Sequence, residues 1–243
     1  MWYNVWKHMN ILDKLEFKYG RYAIRNLHIY ICAIHIIGLL IQMFNPYFYY
    51  QYLSLDSMML LKGQVWRIFT FLFYPPYNGS FILISALIIH VYYTLSASLI
   101  MVWGSFKFNL YLLIGVIGHV VAAIVLGLLR IPAHIYPVYL MFSIFIAYSL
   151  TFGDATFFLF FFIPVKAKYL ALFEIAIYIY IFIYSGFVTR ISILLSLVNV
   201  ILFIYLLYKG RYGGFKNFMN QLKNEISNSI NDIKHIFRGG YRR

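Results

Sequence analysis

Residues 106–129, FKFNLYLLIGVIGHVVAAIVLGLL, decide the class of fold. After Lys107 the run carries no charged side chain. A helix over it would be about 33 Å long at ~1.5 Å per residue. That is enough to cross the ~30 Å hydrocarbon core of a bilayer. Hydrocarbon offers no partner to a backbone N–H or C=O, so a lipid-embedded run must pair them within itself, as a helix does. Working outward, similar apolar runs occupy 27–44, 81–102, 138–152, 165–184 and 191–208. The run at 138–152 is the shortest, and Gly153-Asp154 ends it. The reading is an all-α polytopic membrane protein with six transmembrane helices.

Composition agrees with this. The chain of 243 residues is 63% apolar and 11% charged. Soluble chains hold about 45–50% apolar and about 25% charged residues, and a soluble domain of this size could not bury the excess. Three regions follow: a cytoplasmic amphipathic segment at 1–26, the membrane domain at 27–208, and a basic cytoplasmic tail at 209–243. In the first, Trp2, Trp6, Ile11, Leu15 and Tyr19 recur at helical spacing, which predicts a helix lying on the membrane surface. No apolar signal-peptide core is expected there. In the tail, Ile226, Ile230, Ile233 and Phe237 share the same spacing and predict a second surface helix.

The net charge is +13. In a soluble chain that would suggest nucleic acid. Here the bases sit at the ends and in the loops of a lipid-embedded chain, so anionic headgroups are the expected partner and nucleic acid is not. Placing both ends in the cytoplasm puts 16 Lys and Arg inside and four outside, namely Lys62, Arg67, Arg130 and Arg190. That matches the positive-inside bias. Between the first two runs, residues 45–80 are rich in Tyr, Phe, Met and Trp, a composition suited to the headgroup level. Pro75-Pro76 and Asn78-Gly79 close the segment as turns. Residues 157–163 are apolar, too short to cross, and stopped by Pro164. They read as an interfacial or re-entrant stretch.

Three motifs in order resemble the rhomboid superfamily, which includes intramembrane proteases, inactive rhomboids and derlins. Residues 63–70, GQVWRIFT, are similar to its Trp-Arg motif in the first loop and place Trp66 and Arg67 there. Residues 98–104, SLIMVWG, look like the end of its second helix, with Ile100 where a Glu is usual and Trp103-Gly104 at the turn. Residues 161–168, FFIPVKAK, are similar to the approach to its fifth helix and contain Pro164, Lys166 and Lys168. The resemblance implies a rhomboid-like bundle that handles other transmembrane segments or thins the bilayer. The motif pattern looks closer to bacterial members, and the abundance of Ile, Lys, Asn, Tyr and Phe fits a low-GC bacterium.

Physical chemistry gives each residue a reading of its own. Arg67 can bury its stem and extend a guanidinium to phosphate or backbone carbonyls, or serve as an interfacial anchor. Lys166 and Lys168 oppose the dipole of the helix they precede, which favours headgroups or loop carbonyls as partners. Glu174 lies inside the fifth run, where an ionisable group should face the bundle interior, as a structural hydrogen bonder or as part of a client groove.

Bond cleavage would need a nucleophile with a base in reach. Rhomboid proteases carry Gly-x-Ser-Gly at the start of the fourth helix and a His in the sixth. In the matching stretch, Tyr139 to Phe145, Met141 stands at the nucleophile position, and Tyr139 and Phe142 replace the glycines. The sixth run has no His, and Asn199 is its most polar residue. Ser143 and His119 are the remaining candidate pair. His28, His35 and His90 show no metal-ligand spacing, and no cofactor motif is present. The expectation is a proteolytically inactive, rhomboid-like protein that binds membrane segments or lipids. Alternatives are an intramembrane serine protease with a displaced dyad, and a small transporter or assembly subunit. A single Glu without an internal repeat speaks against transport.

Overall fold

A computed structural model of the chain describes residues 10–74, 82–159 and 163–208, with the isolated positions 220, 223, 224 and 227. It contains five helices long and apolar enough to cross a membrane. They are α2 (Leu27–Phe44), α5 (Ile82–Trp103), α6 (Ser105–Leu128), α8 (Ala167–Tyr184) and α9 (Phe187–Tyr208). A sixth apolar helix, α7 (Val138–Thr151), has 14 residues. Short elements fill the rest: α1 (Ile11–Tyr19), α3 (Ser57–Leu61) and α4 (Arg67–Thr70). Two small antiparallel pairings join β1 (Leu55–Asp56) to β2 (His134–Ile135), and β3 (Thr156–Leu159) to β4 (Ile163–Lys166).

The chain forms two compact units, residues 21–201 and residues 1–20 with 202–243. In the larger unit α5 packs against α2, α6 and α7, and α8 packs on α7. Helix α7 is enclosed, with Leu140, Met141, Ser143, Ile144, Ile146, Ala147 and Ser149 all buried. In the smaller unit, Asn10 Nδ2 donates to the carbonyls of Leu206 and Leu207, two of the terminal acceptors that a helix leaves open.

Two glycines shape the packing. Gly104 sits at φ 84°, ψ 157° between α5 and α6, a conformation that side-chain-bearing residues avoid, so the turn is made in one residue. Gly38 lets α2 touch the turn Phe71–Phe73 directly: a Cβ there would stand 1.6 Å from the Phe73 carbonyl oxygen.

Several sequence expectations shift. Of the apolar stretch 157–163, read as interfacial or re-entrant, the described residues are extended: Thr156–Leu159 pairs antiparallel with Ile163–Lys166. The following helix begins at Ala167 rather than 165, since Val165 and Lys166 are extended. Helix α9 begins at Phe187, four residues earlier than its apolar core, and takes Arg190 into its first turn. In the segment 1–26 a helix is present from Ile11 to Tyr19. The segment's first nine residues, the turn at 75–79 and nearly all of the tail lie outside the described residues.

Candidate functional site

Four clusters of polar side chains stand out. The first is the loop between α2 and α5. Its short π-helical turn, Tyr49–Leu53, leaves carbonyls without partners inside the turn, and side chains of the GQVWRIFT motif bond them in succession. Arg67 Nη2 donates to Gln51 O at 2.6 Å, Trp66 Nε1 to Tyr52 O at 3.1 Å, Thr70 Oγ1 to Leu53 O at 2.9 Å, and Arg67 Nη1 to Ser54 O at 2.7 Å. Arg67 Nε is bonded to Gln64 Oε1 at 2.7 Å. With 2% exposure, Arg67 is a buried clamp on backbone carbonyls rather than a surface anchor. Burial lowers its proton affinity, and Asp56 and Tyr49 oppose that change. Trp66 stays half exposed.

The second cluster joins this loop to the one between α6 and α7. Asp56 Oδ1 accepts from Met58 N and Met59 N, capping α3. Its Oδ2 lies 3.8 Å from His134 Nε2, and His134 Nδ1 lies 3.1 Å from Ser54 Oγ. A serine, a histidine and an aspartate are thus aligned. The serine, however, is fully buried and within hydrogen-bond distance of the Tyr50 carbonyl at 2.8 Å. The row links the two loops through side chains. Ser57 adds to the join: its Oγ donates to Ile131 O and accepts from Ala133 N. In the same loop, Tyr49 donates its hydroxyl to Phe71 O. Burial raises the Tyr49 phenol's proton affinity, neighbouring Tyr136, Tyr74 and Tyr50 add to the rise, and Arg67 opposes it.

The third cluster lies inside the helix bundle. Ser143 Oγ is 2.6 Å from the Tyr111 hydroxyl and donates to Leu140 O. His119 Nδ1 pairs with Gly115 O at 2.8 Å, its ring stacks on Phe71, and its Nε2 meets no partner. Ser143 and His119 are therefore engaged with different groups, and no hydrogen bond joins them. Met141 is buried with Sδ 3.4 Å from His35 Nε2. Asn199 lies near the Tyr111 hydroxyl without a well-aligned hydrogen bond. Glu174 is partly buried, with Oε2 unpartnered. Trp103 is buried edge-on against Tyr111, ring centroids 5.8 Å apart.

In the fourth cluster Lys166 and Lys168 meet a carboxylate: their Nζ atoms lie 3.1 and 3.2 Å from Asp154 Oδ1. Those hydrogen bonds, Lys166's first, hold the exposed Asp154 carboxyl below its ordinary range. Pro164 stands in β4 opposite Phe158.

Sequence reading missed the Ser54–His134–Asp56 row and the Tyr111–Ser143 bond. Both depend on pairings between distant segments, and neither leaves a local spacing. Among the described residues no group of His, Cys, Asp and Glu could hold a metal ion. No protein-family model, curated protein or solved structure matches the chain.

Proposed function

We propose that this chain is a non-proteolytic, rhomboid-like membrane protein that holds other transmembrane segments or lipids. In this reading α7 is a sixth, short span, both termini face the cytoplasm, and the membrane is a bacterial cytoplasmic membrane. The resemblance rests on the three motifs and on the order of the helices. The observation that carries the function is the occupancy of the nucleophile position: Met141 stands there by motif alignment and is sealed against His35. The nearest serine, Ser143, is fully buried and bonded to Tyr111 and Leu140. Client handling is further supported by the shortness of α7, about 21 Å at ~1.5 Å per residue against a ~30 Å core.

The test is reconstitution into liposomes with a panel of single-span substrates. The expected result is no cleavage, together with site-specific photocrosslinking of substrate spans to probes placed on lipid-facing positions such as Phe173 or Leu194. Cleavage that vanishes in Ser143→Ala or Ser54→Ala would overturn the reading and install the displaced-dyad protease in its place.

A further inference from the structure

Of the chain's seven acidic residues, only Glu174 lies within one of the apolar runs. It stands near the middle of the 18-residue α8. That helix is the least covered of the five long ones, with only Ala167, Ala171 and Tyr178 buried. Phe173 and Ile177, beside Glu174, are 66% and 39% exposed. Glu174 sits on the rim between these and the buried Ala171 and Tyr178, itself partly exposed. Its Oε2 is buried without a partner, and among the described residues its carboxyl has no hydrogen bond or ion pair. No Lys, Arg or His of the described chain lies within electrostatic reach of it. The bases on or next to α8 are engaged elsewhere: Lys166 and Lys168 on Asp154, and Arg190 on Ile183 O. What lies behind the carboxyl is uncharged, namely Tyr92 of α5 and Tyr178 one turn on, whose hydroxyl is also without a partner.

We infer that Glu174 marks a docking face for a transmembrane segment that carries a lysine or arginine near mid-depth. The argument is charge complementarity. An ionised carboxylate only accepts hydrogen bonds, and hydrocarbon supplies no donor. Ionisable groups within a bilayer pair with one another, yet this chain brings no cation to Glu174. A base on a neighbouring span has the same need, so one contact relieves the cost of both groups. Charge-assisted bonds are roughly twice as strong as neutral ones, which favours a base over a hydroxyl or amide. The long stem of Lys or Arg can lie along apolar surface while its head reaches the rim. Phe173 and Ile177 offer that surface on α8. The inference deepens the segment-holding part of the proposed function, by naming the class of segment held, and rests on it.

The test co-reconstitutes the full-length protein in liposomes with single-span peptides of about 20 leucines and alanines. The central residue is lysine, norleucine or glutamate, and oriented circular dichroism confirms that each peptide spans. Energy transfer between dyes on peptide and protein reads association. The lysine peptide should associate about tenfold more tightly than the norleucine peptide, and the glutamate peptide no better than norleucine. Glu174→Gln should remove the lysine advantage and leave norleucine binding unchanged. Glu174→Lys should transfer the advantage to the glutamate peptide, a reversal that a merely structural Glu174 does not produce. Equal association of the lysine and norleucine peptides with the wild type overturns the inference, and that comparison needs no variant to fold. So does an undiminished lysine preference in a folded Glu174→Gln. In both of those cases peptides still bind, and the segment-holding reading stands. Association of none of the peptides would sink that reading and this inference together.

Discussion

Replacing Arg67 by Met tests whether the loop after α2 is held by its carbonyl clamp. The stem of Met occupies much of the same space, so the change removes hydrogen bonds more than packing. Two backbone carbonyls, Gln51 O and Ser54 O, lose their donors, and Gln64 Oε1 loses a third. Bonds to a charged group contribute about 1.5–3 kcal/mol each, and a buried acceptor left unpaired costs its full desolvation. Gln64 can turn to water, so two losses count and the sum is about 3–6 kcal/mol. For a chain of this size each kcal/mol moves the melting temperature by roughly 2–4 °C, giving a fall of about 6–24 °C. Arg67→Lys keeps the charge but not the fork, so it should serve one carbonyl and recover less than half of the loss. Thermal unfolding in detergent measures the sum. Hydrogen exchange over residues 49–57 locates it, since those amides should open first. A Met variant within about 1 °C of wild type, or a Lys variant equal to it, would refute the argument.

Other substitutions probe other links. Gly38→Ala sets a methyl against the Phe73 carbonyl, which is backbone and cannot rotate away, so α2 must separate from the turn at a cost of about 3 kcal/mol or more. Unfolding should show it, and Gly186→Ala, which meets nothing within 4 Å, is the control. Ser143→Ala and Tyr111→Phe should each cost only about 1 kcal/mol, the usual worth of a hydrogen bond between membrane helices, and the double variant should cost less than their sum. At Asp154 the hydrogen bonds from Lys166 and Lys168 depress the folded carboxyl's pKa below its ordinary value near about 3.9. Their stabilisation is therefore present above that value and lost as pH falls through the lower folded one. Exchange in β3–β4 should be faster in Asp154→Asn than in wild type at neutral pH, with the two converging in strong acid. A difference that persists in acid would show that the amide acts through something other than charge.

The helices were legible because lipid imposes one rule on every residue within it. Runs without charge had to be helical, and their ends fell within a few residues of Asn45-Pro46, Gly104 and Gly153-Asp154. The start of α9 was set late because Arg190 looked like a loop residue, yet its Nη2 reaches back to Ile183 O and its charge stands over the Phe182 ring, so the first turn tolerates it. The pairing of 156–159 with 163–166 was not foreseen because a short apolar run carries no period, and Pro164 suggested a stop. A proline is compatible with a two-stranded ribbon, where one edge needs no N–H. The clamp could be guessed only at the donor end. Arg67 was legible as a seeker of carbonyls, but any residue offers a carbonyl, so the acceptors at 51–54 carried no sequence signal.

The short helix and the clamped loop explain one another. At about 21 Å, α7 falls some 9 Å short of a ~30 Å core, and a chain that stops inside the bundle must still satisfy its backbone. Residues 131–137 do so by pairing with the loop after α2: Ile131 O and Ala133 N bond Ser57 Oγ, Ala133 O accepts from Ser57 N, and β2 lies on β1. The loop can offer those partners only while Arg67, Trp66 and Thr70 hold the preceding turn. Loosening Arg67 should therefore expose not only residues 49–57 but also the amides leading into α7. If exchange quickens in the first loop and stays slow at 131–138, the two loops fold independently and this coupling is wrong.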